Sequence, residues 1–499
     1  MTSYQGTGRL PGSAALLARS GLRPDLLAVV GESDVAGTGS GQAVIDPATG
    51  RAFASFRDAG EDLVDRAVAA AAAARRIWGA GDGPRRATLL LKIAWLIRQR
   101  AGSLAEVESL DSGKPLSQAR ADVETAARYF EFYGGIADKI YGESLEQPGG
   151  FAYTRREPYG VIAVITPWNS PIAQMSRSVA PALAAGNTVV VKPSELTPLT
   201  SILLGRLMRE AGLPPGACNV LPGSGPSVGS ALVCHPDVSF VSFTGSVQTG
   251  RTIARAAGDR IVPVNLELGG KSATLVFPDA DLAAAASAGV AAVVRNCGQS
   301  CFATTRLVVH RSVHDRLVEL MRARLSKLTI GPGLQSPDLG PLVSAGQRDR
   351  VRGFIERAVA QGAEVASDVA GQVPPDGFFL RPHLMVNVRN GMELAQQEVF
   401  GPVQSVIAVD DEDEAVATAN ASDYGLAAGI FTSSLAIAHR CAQRLQAGQV
   451  QVNRYPAGGV DTPFGGYKRS GLGREKGVEA LRHYTQLKTI IVDLGGVND

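Results

Sequence analysis

Short apolar segments that alternate with helical stretches limit the fold of this chain more than any other sequence feature. Residues 161–166 and 188–191 are apolar runs of the length of buried strands, and a helical stretch at residues 175–185 separates them. Strands joined in this way predict a parallel sheet with helical crossovers, in which ligands bind beyond the carboxyl ends of the strands. The sequence therefore predicts an α/β protein with binding groups in the polar loops after Thr166, Val191 and Phe243.

The same periodicity predicts further elements on both sides of this region. Helices are expected at residues 61–78, 86–100, 118–132 and 198–211, and strands at 219–221 and 239–243. A second set of strands and helices begins at Val262 and includes strands at 273–277, 306–310 and 404–409. A length of 499 residues corresponds to about three domains.

Composition and charge exclude several classes of protein. The 45% hydrophobic content excludes a disordered or collagen-like chain, and 49 basic against 47 acidic residues leave a formal net charge of +2. We therefore expect neither a nucleic-acid partner nor a membrane partner. The longest apolar run, residues 282–294, is too short to cross a bilayer.

The cysteines and the amino-terminal segment bear on where the protein resides. Five scattered cysteines do not suit a disulfide scaffold and indicate a reducing, cytoplasmic setting. Residues 1–24 contain Arg9, Arg19 and Arg23 but no acidic residue, as in a mitochondrial transit peptide. We favour the interpretation that residues 1–24 are a frayed leader in a chain rich in Ala, Gly and Arg, over that of a transit peptide.

Two loops suggest a nucleotide site. In residues 243–250 (Phe-Thr-Gly-Ser-Val-Gln-Thr-Gly) a glycine follows a strand and precedes a helix, whose first NH groups can hold a pyrophosphate, although the glycines lack the GxGxxG spacing. Residues 192–195 (Lys-Pro-Ser-Glu) end a strand, so Lys192 and Glu195 either bind ribose hydroxyls or form a surface ion pair. A carboxylate there would repel a 2′-phosphate, which favours NAD over NADP.

Two other loops suggest catalysis. In residues 267–271 (Glu-Leu-Gly-Gly-Lys) a carboxylate stands beside glycines that let a ligand approach, so Glu267 is a candidate general base. Cys301 follows a Gly-Gln-Ser stretch after a helix and is a candidate nucleophile. Cys297 lies four residues earlier, but no histidine or second cysteine pair accompanies them, so no metal site is expected.

Seven motifs in order resemble the aldehyde dehydrogenase superfamily from about residue 45 to the carboxyl terminus. The motifs lie at residues 167–169, 192–195, 243–246, 267–271, 298–301, 398–402 and 463–468. The resemblance implies a Rossmann-like NAD-binding domain, an α/β catalytic domain and a small β oligomerisation arm. We place these at residues 1–133 and 158–266, at 267–470, and at 134–157 together with 471–499. The arm implies a homodimer or a homotetramer.

The resemblance also implies roles for individual residues. Cys301 would attack the aldehyde, Asn169 would hold the oxyanion with the NH of Cys301, and Glu267 would activate water. The cofactor would be NAD, with NADP less suited, and its binding residues would be Ile165, Thr166, Pro167, Trp168, Lys192, Ser194, Glu195, Gly225, Phe243, Thr244, Gly245, Ser246, Gly250, Leu268, Glu398 and Phe400.

Three positions qualify the resemblance. Family members that acylate coenzyme A lack the glutamate at the position of Glu267, so its presence favours release of a free carboxylic acid. Ser178 stands where many members carry a lysine proposed to relay protons, which puts that relay in doubt. A cysteine at the position of Cys297 is less usual in this family. We favour inert packing of its side chain over a reversible disulfide with Cys301.

The sequence leaves two classes of aldehyde open as the substrate. Arg177 and Arg295 fall where succinate semialdehyde dehydrogenases place paired arginines for a substrate carboxylate, although either arginine could instead pair with a protein group. Phe302 and Tyr455 favour a neutral or aromatic aldehyde instead. A non-catalytic binding protein on this fold is a third possibility, which the intact Cys301, Glu267, Asn169 and Glu398 argue against.

Overall fold

The computed structural model describes residues 12–23, 25–79, 82–369 and 372–494. Residues 1–11 of the expected leader, Arg9 among them, lie outside these residues, whereas Ser13–Ser20 form a helix with Leu16 and Leu17 buried. The α-helices of the described residues are α1 (Ser13–Ser20), α2 (Gly60–Trp78), α3 (Gly83–Gln99), α4 (Ala101–Ser112), α5 (Leu116–Ile136), α6 (Pro171–Ala184), α7 (Leu199–Ala211), α8 (Ser230–Cys234), α9 (Val247–Asp259), α10 (Leu282–Val294), α11 (Arg311–Leu325), α12 (Ala345–Ala360), α13 (Glu393–Gln396), α14 (Glu412–Asn420), α15 (Leu435–Arg444) and α16 (Glu479–His483). None of these helices is long and apolar enough to span a bilayer.

The strands of the same residues are β1 (Asp25–Leu26), β2 (Ala28–Val30), β3 (Ser33–Val35), β4 (Gly41–Asp46), β5 (Arg51–Arg57), β6 (Ser144–Gln147), β7 (Gly150–Pro158), β8 (Val161–Ile165), β9 (Thr188–Lys192), β10 (Cys218–Val220), β11 (Val238–Thr244), β12 (Val264–Glu267), β13 (Ala273–Val276), β14 (Arg306–His310), β15 (Glu364–Val365), β16 (His383–Val386), β17 (Val403–Val409), β18 (Tyr424–Gly425), β19 (Ala427–Phe431), β20 (Gln449–Val452), β21 (Tyr467–Lys468), β22 (Gly471–Leu472) and β23 (Thr485–Asp493).

The first large sheet has eight strands in the order β22-β12-β11-β8-β9-β10-β2-β3. Its five central strands, from β12 to β10, are parallel, and every residue of β8 and β9 is buried. Strands buried on both faces are apolar without alternation, which explains the short continuous runs in the sequence. Helices α3, α5, α6 and α7 contribute to the core on one face, and α2, α8 and α9 contribute to the core on the other. The predicted α/β fold is therefore confirmed.

The second large sheet has seven strands in the order β15-β16-β17-β14-β13-β19-β20, and all pairs except β15–β16 are parallel. The chain passes from the first sheet to the second through the short connection between β12 and β13. Strand β22 then returns to the first sheet and pairs with β12, so that Gly471 lies opposite Glu267. The cleft between the two sheets is thus lined by loops from both. The division of the chain into domains stays a prediction.

A third sheet of three antiparallel strands in the order β23-β7-β6 projects from this body of the fold. The arm was expected to begin at residue 134. Helix α5 instead continues through Gly134 to Ile136, and the first strand of this sheet begins at Ser144. Its two edge strands carry exposed apolar side chains at Leu145, Leu487 and Ile491. Such edges are available to pair with another strand.

Candidate active site

A sharp left-handed turn places Cys301 at the cleft. Asn296, Cys297 and Gly298 follow α10 with φ values of 49°, 55° and 70°, a conformation that costs energy for the first two residues. Gly298 is required, because an added Cβ would lie 2.1 Å from the carbonyl oxygen of Gly401. Cys297 points into an apolar cluster and is buried, whereas Cys301 is partly exposed. Burial of Cys297 agrees with inert packing.

Asn169 links its own loop, after β8, to the loop of Cys301. Its side-chain Nδ2 donates to the carbonyl oxygen of Gln299 at 3.0 Å, and its carbonyl oxygen accepts from Nδ2 of Asn296 at 2.6 Å. An amide nitrogen carries two hydrogens, so one N–H of Asn169 is left for another acceptor. Asn169 and Cys301 line the same cavity.

Glu267 is a buried carboxyl group without a hydrogen-bond partner. It ends β12, its side chain is 2% exposed, and neither carboxyl oxygen is hydrogen-bonded. Burial raises its pKa well above the usual 4.5, and the charge of Glu475 raises it further, against Arg177, Arg474 and Lys476. A carboxyl group with a raised pKa beside a cavity suits general-base chemistry.

The thiol of Cys301 experiences opposing effects. Burial raises its pKa to about 11, the nearby Glu398 and Glu267 act in the same direction, and Arg177 and Lys476 lower it. The two cations therefore favour the thiolate, which is the nucleophilic form.

Glu398 is held over the glycine pair that follows Glu267. Its Oε1 accepts from the NH of Gly270 at 3.0 Å, and a Cβ on Gly269 would lie 2.2 Å from its Oε2. Burial raises the pKa of Glu398 to about 7. Phe400, two residues on, has a φ of 58° and meets Trp168 edge to face at 5.1 Å between ring centroids.

A cavity of about 740 Å³ joins these groups and extends to the amino end of α9. Its lining includes half of the predicted cofactor residues, namely Pro167, Trp168, Thr244, Gly245, Ser246, Leu268, Glu398 and Phe400. Ser246 caps α9, since its side chain accepts from the NH of Thr249 at 3.2 Å. The backbone NH groups at this helix end suit a pyrophosphate.

The other predicted cofactor residues do not line this cavity: Ile165, Thr166, Lys192, Ser194, Glu195, Gly225, Phe243 and Gly250. Lys192 and Glu195 lie at the carboxyl end of β9, next to β8, and their side chains pair at 2.8 Å. The structure thus shows the ion pair that the sequence left as one of two alternatives. The ribose site stays a prediction.

A second, smaller cavity of about 70 Å³ is also lined by Cys301 and Asn169. It is lined by Arg177, Arg295 and Phe302 among the predicted substrate residues, and the ring of Tyr455 lies 6.0 Å from that of Phe302. Arg177 is buried and forms an ion pair with Glu475, and it also donates to Thr244 at 2.9 Å. It therefore does not enter the cavity as a free cation.

Arg295 and the unpredicted Lys476 differ from Arg177. In the described part of the chain neither forms an ion pair, and both line the small cavity. Lys476 has a φ of 62°, and its Nζ lies 4.8 Å from the ring centroid of Phe464. Burial, with Arg177 nearby, lowers its pKa to about 8. A left-handed lysine beside the candidate nucleophile has no local sequence signature, so only the fold could reveal it.

Comparison with known proteins agrees with this geometry. Residues 35–490 match the model of the aldehyde dehydrogenase family. The betaine aldehyde dehydrogenase of Brucella melitensis is 43% identical over 462 residues, which covers 91% of this chain and 94% of that enzyme. The chain belongs to the aldehyde dehydrogenase family, and the prediction of an aldehyde dehydrogenase is confirmed.

Solved structures give the same result. An NAD-dependent aldehyde dehydrogenase from Sinorhizobium meliloti superposes with a TM-score of 0.93 at 36% identity, covering 96% of this chain and 97% of that one. The betaine aldehyde dehydrogenase of Staphylococcus aureus, solved with NAD⁺, gives a TM-score of 0.92 at 33% identity, with 97% of each chain covered.

The thiol environments predict a pattern of alkylation. We expect iodoacetamide to label exposed Cys234 readily and the buried Cys218, Cys297 and Cys441 only after unfolding. Because the pKa of Cys301 is about 11, roughly one thiol in a thousand is ionised at pH 8, and its labelling rate should rise about tenfold per pH unit up to pH 10. Peptide mass spectrometry measures each site, and a flat rate for Cys301 between pH 8 and 10 would contradict this environment.

Proposed function

We propose that this protein oxidises an aldehyde to the free carboxylic acid with NAD⁺, using Cys301 as the nucleophile. The observation that carries the proposal is the convergence of Cys301, Asn169, Glu267 and Glu398 on one cavity between the two large sheets. The groups come from loops of both sheets. Each is a residue type that the chemistry of acyl transfer needs.

The large cavity fits NAD. The amino end of α9 would hold the pyrophosphate, the Lys192–Glu195 pair would bind the adenosine ribose, and Glu398 would bind the nicotinamide ribose. The carboxylate of Glu195 disfavours a 2′-phosphate, so NAD is preferred over NADP. The S. aureus relative was solved with NAD⁺, which supports the same cofactor here. When bound, NAD⁺ accepts the hydride that leaves the substrate carbon.

The chain supplies the covalent chemistry. The thiolate of Cys301 adds to the aldehyde carbon, and the resulting oxyanion accepts hydrogen bonds from Nδ2 of Asn169 and the NH of Cys301. Loss of one such donor costs roughly 3–4 kcal/mol in other enzymes. After hydride loss the acyl group remains as a thioester on Cys301.

Glu267 completes the cycle as the base for hydrolysis. Its unpartnered oxygens leave it free to take a proton from water, and its raised pKa makes it a stronger base than an ordinary carboxylate. The water then attacks the thioester carbon, the bond to sulfur breaks, and the acid leaves with Cys301 restored.

Two variants test this assignment. The wild type should form one NADH and one carboxylic acid for each aldehyde consumed, and Cys301→Ser should form neither above about a thousandth of that rate. Glu267→Gln should release one NADH per site in a burst and then stall, because the thioester accumulates. NADH absorbance and mass spectrometry of the acyl-enzyme measure both. A wild type inactive toward a broad aldehyde panel would instead support the non-catalytic binding protein.

A glycine variant tests the cofactor site. Gly269→Ala should displace the Glu398 carboxylate, because the new Cβ would lie 2.2 Å from Oε2, a side-chain end that can move. We expect the Kd for NAD⁺ to rise about tenfold or more, or about 1.4 kcal/mol, in fluorescence titration. The matched control is Gly258→Ala on α9, where a Cβ meets no atom within 4 Å. Equal Kd values for the two variants would show that Glu398 does not contribute to the binding of NAD⁺.

We further propose that the substrate is an acidic semialdehyde. Arg295 and Lys476 face the small cavity without carboxylate partners among the described residues, whereas Glu475 neutralises Arg177. The relatives named betaine aldehyde dehydrogenases act, by name, on a cationic aldehyde, which these two cations would repel. The aromatic rings of Phe302, Tyr455 and Phe464 would also suit a neutral or aromatic aldehyde, which is therefore the second candidate substrate.

A matched set of aldehydes decides between these classes. Succinate semialdehyde should exceed butyraldehyde in kcat/KM by about 100-fold, or 2.7 kcal/mol, and betaine aldehyde should be poorest. Arg295→Ala and Lys476→Met should each lower that preference at least about tenfold, and the exposed Arg454→Ala should leave it unchanged.

The pH dependence of the same preference gives an internal check. Lys476 binds an anion only while protonated, so the KM for succinate semialdehyde should rise as the pH passes about 8, and the KM for butyraldehyde should not. Lys476→Met should abolish the difference. Equal preference for the acid and neutral aldehydes in the wild type would move both cations to structural roles and favour a neutral or aromatic substrate.

We also propose a cytoplasmic homodimer or homotetramer formed through the three-stranded sheet. The exposed apolar residues Leu145, Leu487 and Ile491 on its edge strands support pairing with a second copy. The five free cysteines agree with a reducing compartment.

A further inference from the structure

Lys114 lies beneath the candidate site and is buried. It follows α4 and Gly113, whose φ of 78° turns the chain inward. Its Nζ contacts Asp122 at 2.5 Å, the carbonyl oxygen of Asn169 at 2.8 Å, Ser170 Oγ at 3.2 Å and Glu108 Oε1 at 3.3 Å. An ammonium group has three hydrogens, so these four acceptors satisfy it fully.

The two carboxylates keep Lys114 charged in the interior. Desolvation alone would lower its pKa, but the charges of Asp122 and Glu108 raise it above the usual value. The ammonium therefore donates a charge-assisted hydrogen bond to the Asn169 carbonyl, which is stronger than a bond between neutral groups. Asn296 gives that same oxygen its second donor.

Helix α5 connects this lysine to the loop of the nucleophile. Asp122 and Gln118 lie one turn apart on α5, and Gln118 Oε1 accepts from the NH of Asn296 at 2.7 Å. One face of α5 thus holds Asn169 through Lys114 and holds the Cys301 loop through Gln118. Lys114, Asp122 and Gln118 themselves line neither of the two cavities that contain Cys301.

We propose that Lys114 is a positioning residue, which places the side-chain amide of Asn169 for the oxyanion by fixing its main chain. The proposal rests on the oxyanion role of Asn169 in the proposed function. Loss of the Lys114 contact would leave the Asn169 carbonyl with one donor and let the amide shift. A displacement of about 1 Å from productive geometry costs on the order of 100-fold in rate.

A comparison in one background isolates this contact. Lys114→Met alone would leave two buried carboxylates without their cation, so Asp122→Asn serves as the background, because it removes one of those two charges. The measurement is the pre-steady-state NADH burst rate per titrated active site, which a loss of folded protein does not change. We expect Lys114→Met to lower this rate by about 30- to 100-fold relative to Asp122→Asn alone, with the Kd for NAD⁺ unchanged.

A double-mutant cycle shows whether Lys114 acts through Asn169. In the same background, Asn169→Ala should lower the burst rate by at least about 100-fold, and adding Lys114→Met should then lower it by less than about threefold. Losses that multiply, or a Lys114→Met rate within about threefold of its background, would overturn the proposal. An Asn169→Ala rate equal to the background would instead refute the oxyanion role on which it rests.

Thr200→Val is the matched structural control. Thr200 Oγ1 donates to Glu108 Oε2 at 2.5 Å, whereas Lys114 contacts Oε1, so this variant removes a bond from the same buried cluster without removing a contact of Lys114. We expect it to lower the melting temperature while the burst rate stays within about twofold of the wild type. A burst rate as low as that of Lys114→Met would show that any disturbance of the cluster slows this step, and it would overturn the specific role of the contact between Lys114 and Asn169.

Discussion

The hydrogen bonds between the loop of Asn169 and the loop of Cys301 are the junction on which the rest of the site depends. One loop follows β8 of the eight-stranded sheet, and the other precedes β14 of the seven-stranded sheet. Asn169 accepts from Asn296 and donates to Gln299, so the two loops exchange bonds in both directions. Asn169 and Cys301 line both the large and the small cavity, so this junction positions the proposed cofactor and substrate sites together.

Burial governs the electrostatics of the junction. It is the largest cause of the raised pKa values of Glu267, Glu398 and Cys301. A buried carboxyl without a partner, such as Glu267, lowers the stability of the fold. The same isolation makes Glu267 a stronger base than an ordinary carboxylate. The apolar cores on both faces of the eight-stranded sheet offset that cost.

Much of the architecture could be predicted because doubly covered strands produce continuous apolar runs. Strands β8, β9, β13 and β14 lie within one residue of their expected bounds. Packing overrode local preference elsewhere. The helix expected over residues 118–132 continues through Gly134 to Ile136. The lack of a side chain at Gly134 lets Leu91 of α3 approach to 3.1 Å of where a Cβ would lie. Strand β2 was not predicted, since its three residues give too short a pattern.

The sequence by itself determined the sheet type, the family and the set of reactive groups, because each depends on local spacing along the chain. Only the tertiary structure decided which charged side chains affect the site and which are neutralised by a partner. Glu475 neutralises Arg177, Lys476 lies beside Cys301, and Lys114 bonds the carbonyl of Asn169, although each pair is distant in sequence. The effect of a charge depends on the distance to its partners and on the water excluded between them, and neither quantity exists until the chain has folded.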